Sequence, residues 1–500
     1  MGAPFAAETL QGPKVDWLAL SPLLVLLGGA MVLLVGAALT PPWPKRWYAV
    51  FTTNVAAAAV GLEVVLWHRV DDKGPTTLVG DVLHLDKVGL WIAITICVGV
   101  FLAAMVTDDY LRREGLEGPE LYVLYMLAAV GGIVMAAAND LIVLFLGLEI
   151  LSLALYVMAA SHRKRIESQE SGIKYFVLGG FSSAFLLYGI ALVYGATGST
   201  QFGPIDAFLA SRTLLEPGLL LAGFAMLLVG LGFKIAAAPF HQWTPDVYQG
   251  APSPVTGFMA SAGKAAAFAA LLRVFSVLFS RYEADWRPAV LGMVVLTLII
   301  GAFSAIVQTD VKRMLAYSSI GHAGFILIGV HANSAKGTSG SLVYLFAYAI
   351  MVLGSFGCIT LIGRTGDGDH SLATYRGLAR ERPVLAGLFA LFLLAQAGLP
   401  LTSGFIAKLG VLQAAAARNS YGLAILAMLA GAVSAFVYLR IIVEMFLNDA
   451  EVGDDDRERV RVPMLAGIGL AAAAAFTLVA GILPGWLVDL ANHAVPVLAR

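Results

Sequence analysis

Apolar runs of about twenty residues, long enough to cross a hydrocarbon core of about 30 Å as a helix, recur along the whole chain. They lie near 17–39, 46–67, 86–107, 119–138, 141–160, 172–196, 217–243, 253–279, 287–308, 312–332, 340–364, 384–415, 420–447 and 463–490, fourteen in all. Lipid offers no partner for backbone polar groups, so each run must satisfy its own as a helix. Composition agrees: 59% of the 500 residues are hydrophobic and 13% charged, against roughly 45–50% and 25% in an ordinary globular domain. The expected fold is an all-α polytopic membrane protein. No polar run is long enough to make a soluble domain, so function must reside within the helices.

Several function classes drop out. Lys plus Arg (32) balance Asp plus Glu (33), which leaves no basic face for nucleic acid. The two cysteines, Cys97 and Cys358, sit in apolar runs as packing residues. An iron–sulfur cluster takes four cysteines, and no glycine-rich strand-to-helix turn is present to hold a dinucleotide. No redox cofactor is expected in this chain. Residues 1–16 lack the basic start of a signal peptide, so the first run reads as a retained helix. The polar stretch from His68 to Asp86 reads as a small external hairpin.

Lys and Arg collect in alternate loops, seventeen against nine if the N-terminus is outside. Because such residues mark the cytoplasmic side, both termini are expected to be extracytoplasmic. The charged stretch from Asp449 to Arg461 reads as a solvated cytoplasmic linker. Residues 136–150 resemble 305–320 when Asp140 is set on Asp310, an offset of 170, and FKIAAAPF (233–240) sets Lys234 near Lys408 in GFIAK at a similar offset. Two five-helix units, 119–279 and 280–447, follow, with 1–118 before them and 448–500 after. An odd number of helices inverts the second copy, the pattern of many ion transporters, with broken helices at the site of action.

Four charges lie well inside the apolar runs: Glu149, Lys234, Lys264 and Lys408. Each charge near mid-depth costs about 2.5–3.5 kcal/mol on insertion scales. Between Lys234 and Lys264 stand Pro239, Pro245, Pro252 and Pro254, which no continuous helix holds. Lys408 follows Gly398, Pro400 and Gly404, so the seventh and twelfth segments are expected to be broken helices. Freed carbonyls at that depth must face protein or a water-lined cavity. A buried lysine loses its charge readily, and a nearby carboxylate restores it; such a group can carry a proton. The competing reading is a static Glu149–lysine pair, which leaves two lysines unaccounted for. His241 and His322 are candidate proton relays, because imidazole titrates near neutrality; as lone histidines on separate segments they make a metal site improbable. Asp246 reads as a cap or loop anchor, and Tyr317, Ser318 and Ser319 read equally as a polar path or as small-residue packing.

The segments PFHQWTPDVYQGAPSPVTGF (239–258), LAYSSIGHAGF (315–325) and GLPLTSGFIAK (398–408) resemble the antiporter-like membrane subunits of respiratory complex I, NADH:quinone oxidoreductase, and among them most closely the N type. The M type has glutamate where this chain has Lys408, and the L type carries a long lateral helix. The resemblance covers all fourteen segments and implies proton-transfer roles for Glu149 on the fifth helix, Lys234 on the broken seventh, Lys264 on the eighth and Lys408 on the broken twelfth. Leu401 departs from the second proline common in that break. The resemblance also implies a bacterial inner-membrane location and partners among the other membrane subunits, with NADH, FMN, iron–sulfur clusters and quinone bound elsewhere in the complex. Two rivals stand beside it: a subunit of a multi-subunit sodium/proton antiporter, and a purely structural membrane scaffold.

Overall fold

A computed structural model describes residues 15–44, 46–211, 217–363, 366–449 and 462–495. The linker expected at Asp449–Arg461 falls almost wholly outside the described residues, as do the chain termini. Among the described residues twelve helices are long and apolar enough to cross a membrane. They are α1 (Ser21–Leu39), α2 (Trp47–Lys73), α3 (Lys87–Glu114), α4 (Glu120–Ala137), α5 (Leu141–Ala159), α6 (Ile166–Thr197), the composite helix Ser253–Leu278, the helix ending at Ile306, and four more described below. The hairpin expected after α2 is present as β1 (Thr76–Leu78) paired antiparallel with β2 (Leu83–Leu85).

After α6 come the short α7 (Phe202–Ser211), then α8 (Gly218–Lys234) and α9 (Trp243–Gly250). The composite helix joins α10 (Ser253–Phe258) and α11 (Lys264–Leu271) through a π-helical turn at Met259–Gly263, with a second at Leu272–Leu278. It is followed by α12 (Glu283–Ile306), α13 (Val311–Ala332), α14 (Ala335–Ile362), a short α15 (Leu378–Glu381), α16 (Pro383–Ala397), α17 (Ser403–Ala417), α18 (Tyr421–Phe446), α19 (Met464–Ile482) and α20 (Gly485–Ala494). The run expected at 217–243 thus stops at Lys234, and 384–415 divides at Gly398–Thr402. The last run divides at Leu483–Pro484, where proline cannot continue the helix. Helix α6 starts at Ile166, earlier than its apolar run.

Burial sorts the helices into layers. The composite helix, α13 and α14 are buried along nearly their whole length. By contrast α1, α6 and α18 leave large apolar side chains exposed, among them Met31, Val32, Phe176, Phe181, Met428 and Leu429. Close backbone approach holds neighbours together: a Cβ on Gly131 of α4 would stand 2.5 Å from the Leu151 nitrogen of α5, the small-residue packing usual in membranes.

One local arrangement occurs twice. Asp140 caps α5, accepting from the Ile142 and Val143 amides, and Asp310 caps α13, accepting from the Arg313 amide. Each aspartate also forms an antiparallel bridge to a residue 61 positions further on, Asp140 to Gln201 and Asp310 to Ser371. The flanking bonds match as well: Leu141 N to Thr200 O and Phe202 N to Asn139 O in one, Val311 N to His370 O and Leu372 N to Thr309 O in the other. The two copies belong to opposite ends of the bundle. Asn139 bonds the hairpin through Val82 O, whereas Asp310 sits among Arg313, Asp246 and His370.

The polar ends are cross-linked. At one end Arg46 and Arg112 reach Asp108, Arg313 and Lys174 share Asp246, and Arg376 meets Glu444. Burial works against ionisation of Asp246, but Lys174 and Arg313 outweigh it and hold the carboxyl below its ordinary range. At the other end Asp16 meets Arg69, Asp71 meets Lys87, and Glu283 meets Arg287 and Arg418.

Candidate functional site

Helix α8 ends on Lys234 because the next residues cannot prolong it: Ala236 takes a left-handed φ of 62° and Pro239 supplies no N–H. The Ala238 amide is instead taken by Thr297 Oγ1 of α12 at 2.9 Å, which pins the break to a neighbouring helix. Lys234 is 6% exposed. Its Nζ donates to Ser152 Oγ of α5 (2.8 Å) and to the Tyr175 hydroxyl of α6 (3.3 Å), and lies over the rings of Tyr156 and Tyr175. Tyr175 stacks on Trp243 at 4.4 Å, and the Trp243 indole N–H donates to Phe233 O at the frayed end of α8. The break, the lysine and three helices are therefore held as one unit.

Lys264 opens α11 directly after the π turn Met259–Gly263. A π turn leaves helical carbonyls misaligned and often marks a functional position. Only 3% exposed, Lys264 donates from Nζ to Ser319 O (2.5 Å) and Ser319 Oγ (2.6 Å) on α13 and lies over the Tyr348 ring. Tyr348 in turn packs at 4.5 Å on the ring of His322, one turn along α13 from Ser318 and Ser319. His322 bonds the Tyr344 hydroxyl through Nδ1 (2.7 Å) and the Tyr438 hydroxyl through Nε2 (3.0 Å), and Tyr438 also bonds Ser318. Which ring nitrogen carries the proton depends on the tautomer.

Lys408 completes the series. It lies on α17, half-buried, with Nζ donating to Ala397 O, the last residue of α16, at 2.7 Å and standing over the Phe325 ring. Phe325 stacks on Tyr344, the partner of His322. Gly398, between the two half-helices, has φ 92° and its backbone abuts the lysine; a Cβ there would be 2.9 Å from Lys408 Cδ. Gly398→Ala is accordingly expected to displace Lys408 and strain a backbone conformation that L-residues avoid, at about 1 kcal/mol. Lower proton translocation in an assembled complex, measured with a pH dye in vesicles, would check it.

The structure thus brings Lys264, His322 and Lys408 onto one line of hydroxyls and rings, and links Lys234 to it through Tyr175, Trp243 and Tyr248, which meets Ser319. It does not join Glu149 to Lys234 by an ion pair among the described residues. Glu149 is half-buried on α5, and its Oε1 is enclosed with no hydrogen-bond partner. Ser152, one turn on, takes the lysine instead. His241, half-buried, keeps Nδ1 without a hydrogen bond and, among the described residues, touches none of the lysines by hydrogen bond or ion pair. Asp246 caps no helix with its side chain; it ties α6 to α13 through Lys174 and Arg313.

Further buried charges lie outside the four expected. Glu63 of α2, Arg273 of the composite helix and Lys312 of α13 are all nearly inaccessible. Each stands in or beside an apolar run, which was the available signal. Arg273 pairs with Asp86 at 2.8 Å and also donates to Ala136 O. Lys312 and Arg165 flank Asp367, which accepts from Ser253 N (3.2 Å), Ser253 Oγ (2.9 Å) and His370 Nε2 (2.7 Å). Burial opposes the Asp367 charge, but Lys312, His370 and Arg165 outweigh it and hold the carboxyl far below its ordinary range. Among the described residues no group of histidines, cysteines and carboxylates is arranged to hold a metal ion.

The family model described as NADH:quinone oxidoreductase/Mrp antiporter, TM, matches residues 138–434, which include all four expected charges. A NADH-quinone oxidoreductase subunit N of Trichlorobacter lovleyi is 42% identical over 415 residues, covering 83% of this chain and 85% of that one. That of Salinispora arenicola is 42% identical over 518 residues, covering 97% and 98%. Among solved structures, a chain of respiratory complex I from Thermus thermophilus superposes with a TM-score of 0.78 at 32% identity, covering 94% of this chain and 99% of that one. A chain of the Mrp complex from Dietzia sp. reaches 0.85 at 20% identity, covering 97% of each, a likeness of fold alone. The chain belongs to the NADH:quinone oxidoreductase/Mrp antiporter membrane family, and within it resembles the subunit N chains.

Proposed function

We propose that this chain translocates protons across the membrane as a subunit of a NADH:quinone oxidoreductase, with electron transfer taking place in its partner subunits. The carrying observation is the buried line from Lys264 through Ser319, Tyr348, His322 and Tyr344 to Lys408. Lys234 and Glu149 stand at its other end. Buried ammonium groups with only hydroxyls, carbonyls and rings around them switch charge when a neighbouring charge arrives or leaves. A proton loaded at Lys234 under the control of Glu149 passes to Lys264, then through His322 to Lys408. The missing direct Glu149–Lys234 contact fits a switch better than a permanent tie: a carboxylate held apart from its lysine modulates it only when the two approach.

On this reading α8 and the α16–α17 pair also cross the membrane, which with the twelve long helices makes fourteen crossings. Residues 119–279 and 280–447 are inverted five-helix repeats, with 1–118 and 448–500 flanking them. The duplicated Asp140 and Asp310 staples at opposite ends support that division. Both termini lie outside the cytoplasm, in keeping with the basic cluster Arg46, Arg112, Arg113 and Arg165 at the other end. The partners are the neighbouring membrane subunits in a bacterial inner membrane; NADH, FMN, iron–sulfur clusters and quinone belong to other subunits.

Tagging the chain and purifying it under mild detergent tests this assignment. NADH- and quinone-reactive polypeptides are expected to come with it. Recovery of cation-antiporter subunits in their place would favour the sodium/proton exchanger.

A further inference from the structure

Glu63 is 2% exposed on α2, and no protein group reaches it by hydrogen bond or ion pair among the described residues. Ten residues, roughly 15 Å, separate it from Lys73 at the helix end. It lines a cavity of about 40 Å³ together with Leu20, Leu23, His84, Asp86 and Ile133, room for a few waters. A carboxyl buried with no protein partner is expensive unless it is protonated or hydrated. The same cavity reaches a titratable group with access to solvent: His84, on the hairpin, has a quarter of its side chain exposed and bonds Asp86 Oδ2 through Nδ1 at 2.9 Å. Asp86 in turn caps α3 through the Gly89 amide and pairs with Arg273. Arg273 lies nine residues along the helix that carries Lys264.

We propose that Glu63 is a proton-exchanging carboxyl served from the hairpin side of the membrane through the cavity and His84. The other groups facing it are few. Helices α1 and α4 present only apolar side chains to the cavity, and α3 adds the Cys97 thiol within the Coulomb field of Glu63. The proposal rests on the reading that the chain moves protons.

The test uses the complete complex in vesicles, with NADH oxidation and proton translocation measured while the pH on the hairpin side is varied. Glu63→Gln keeps the shape and removes the titration. The expected result is an assembled complex whose translocation no longer responds to hairpin-side pH as the parent does, with the response regained in Glu63→Asp. His84→Ala, at a partly exposed position, is expected to weaken the same response and decides the matter if Glu63→Gln does not assemble. A parent-like pH response in Glu63→Gln, or in His84→Ala where that variant must decide, overturns the proposal. A Lys234→Ala complex that pumps normally would overturn the underlying reading instead.

Discussion

Lys234→Ala is expected to stop proton movement through this chain, slowing transfer by about 10²-fold or more, the scale on which positioned proton-transfer groups act. The Nζ bonds both Ser152 and Tyr175; alanine takes from these two hydroxyls the group between them that accepts or releases a proton. Lys234→Arg separates this from a scaffold role. Arginine keeps a positive charge over the Tyr156 and Tyr175 rings but does not give up its proton. Both variants are therefore expected to assemble on native gels and to fail in vesicle pumping. Normal pumping by the arginine variant would mean that the lysine only holds α5, α6 and α8 together. Full pumping with Glu149 and Lys234 both replaced by alanine would remove the proton path altogether.

Asp367→Ala is expected to cost about 3–5 kcal/mol, the range for removing one partner of a buried ion pair. Asp367 and Lys312 are both wholly inaccessible, and the carboxylate also holds Ser253, His370 and Arg165. Among the described residues its loss leaves the Lys312 ammonium with the Ala251 carbonyl as its one hydrogen-bond partner. Thermal unfolding of the purified complex, followed by loss of this chain from it, would register the change; an unshifted transition would contradict the account. The pH dependence has a definite sign. Because the folded carboxyl is depressed, its contribution is complete above the ordinary carboxylate range and disappears only as pH falls through the lowered value. Mild acid should leave this knot intact.

The features legible in the sequence share one property: they contradict a local rule. A lysine inside an apolar run, or a proline inside a helix, announces itself without knowledge of the fold, so Lys234, Lys264, Lys408 and both breaks could be read directly. His322 was visible as a candidate but not its task, since its partners Tyr344 and Tyr438 lie 22 and 116 residues away. Ser152, Tyr175 and Ser319 are ordinary helix residues until packing sets a lysine against them. Glu63 and Arg273 break the same rule as the lysines, but they fall toward the ends of their runs, where a charge ordinarily reaches water. The short helices α7 and α20 follow from how the chain turns at the bundle's ends, which hydrophobic periodicity does not encode. The twin aspartate staples needed coordinates, because a spacing of 61 residues carries no local signal.

The two π turns on either side of α11 bear on how Lys264 is aimed. Each residue added to or taken from a helix rotates everything beyond it by about 100° and moves it by about 1.5 Å. A π turn is a place where the helix already holds more residues per turn than it needs. Tightening the turn at Met259–Gly263 into α geometry would turn Lys264 away from Ser319, while a compensating change at Leu272–Leu278 would leave the chain beyond Leu278 nearly in place. The aim of the central lysine is thus set by winding, a property that can change between two fixed ends without either end moving.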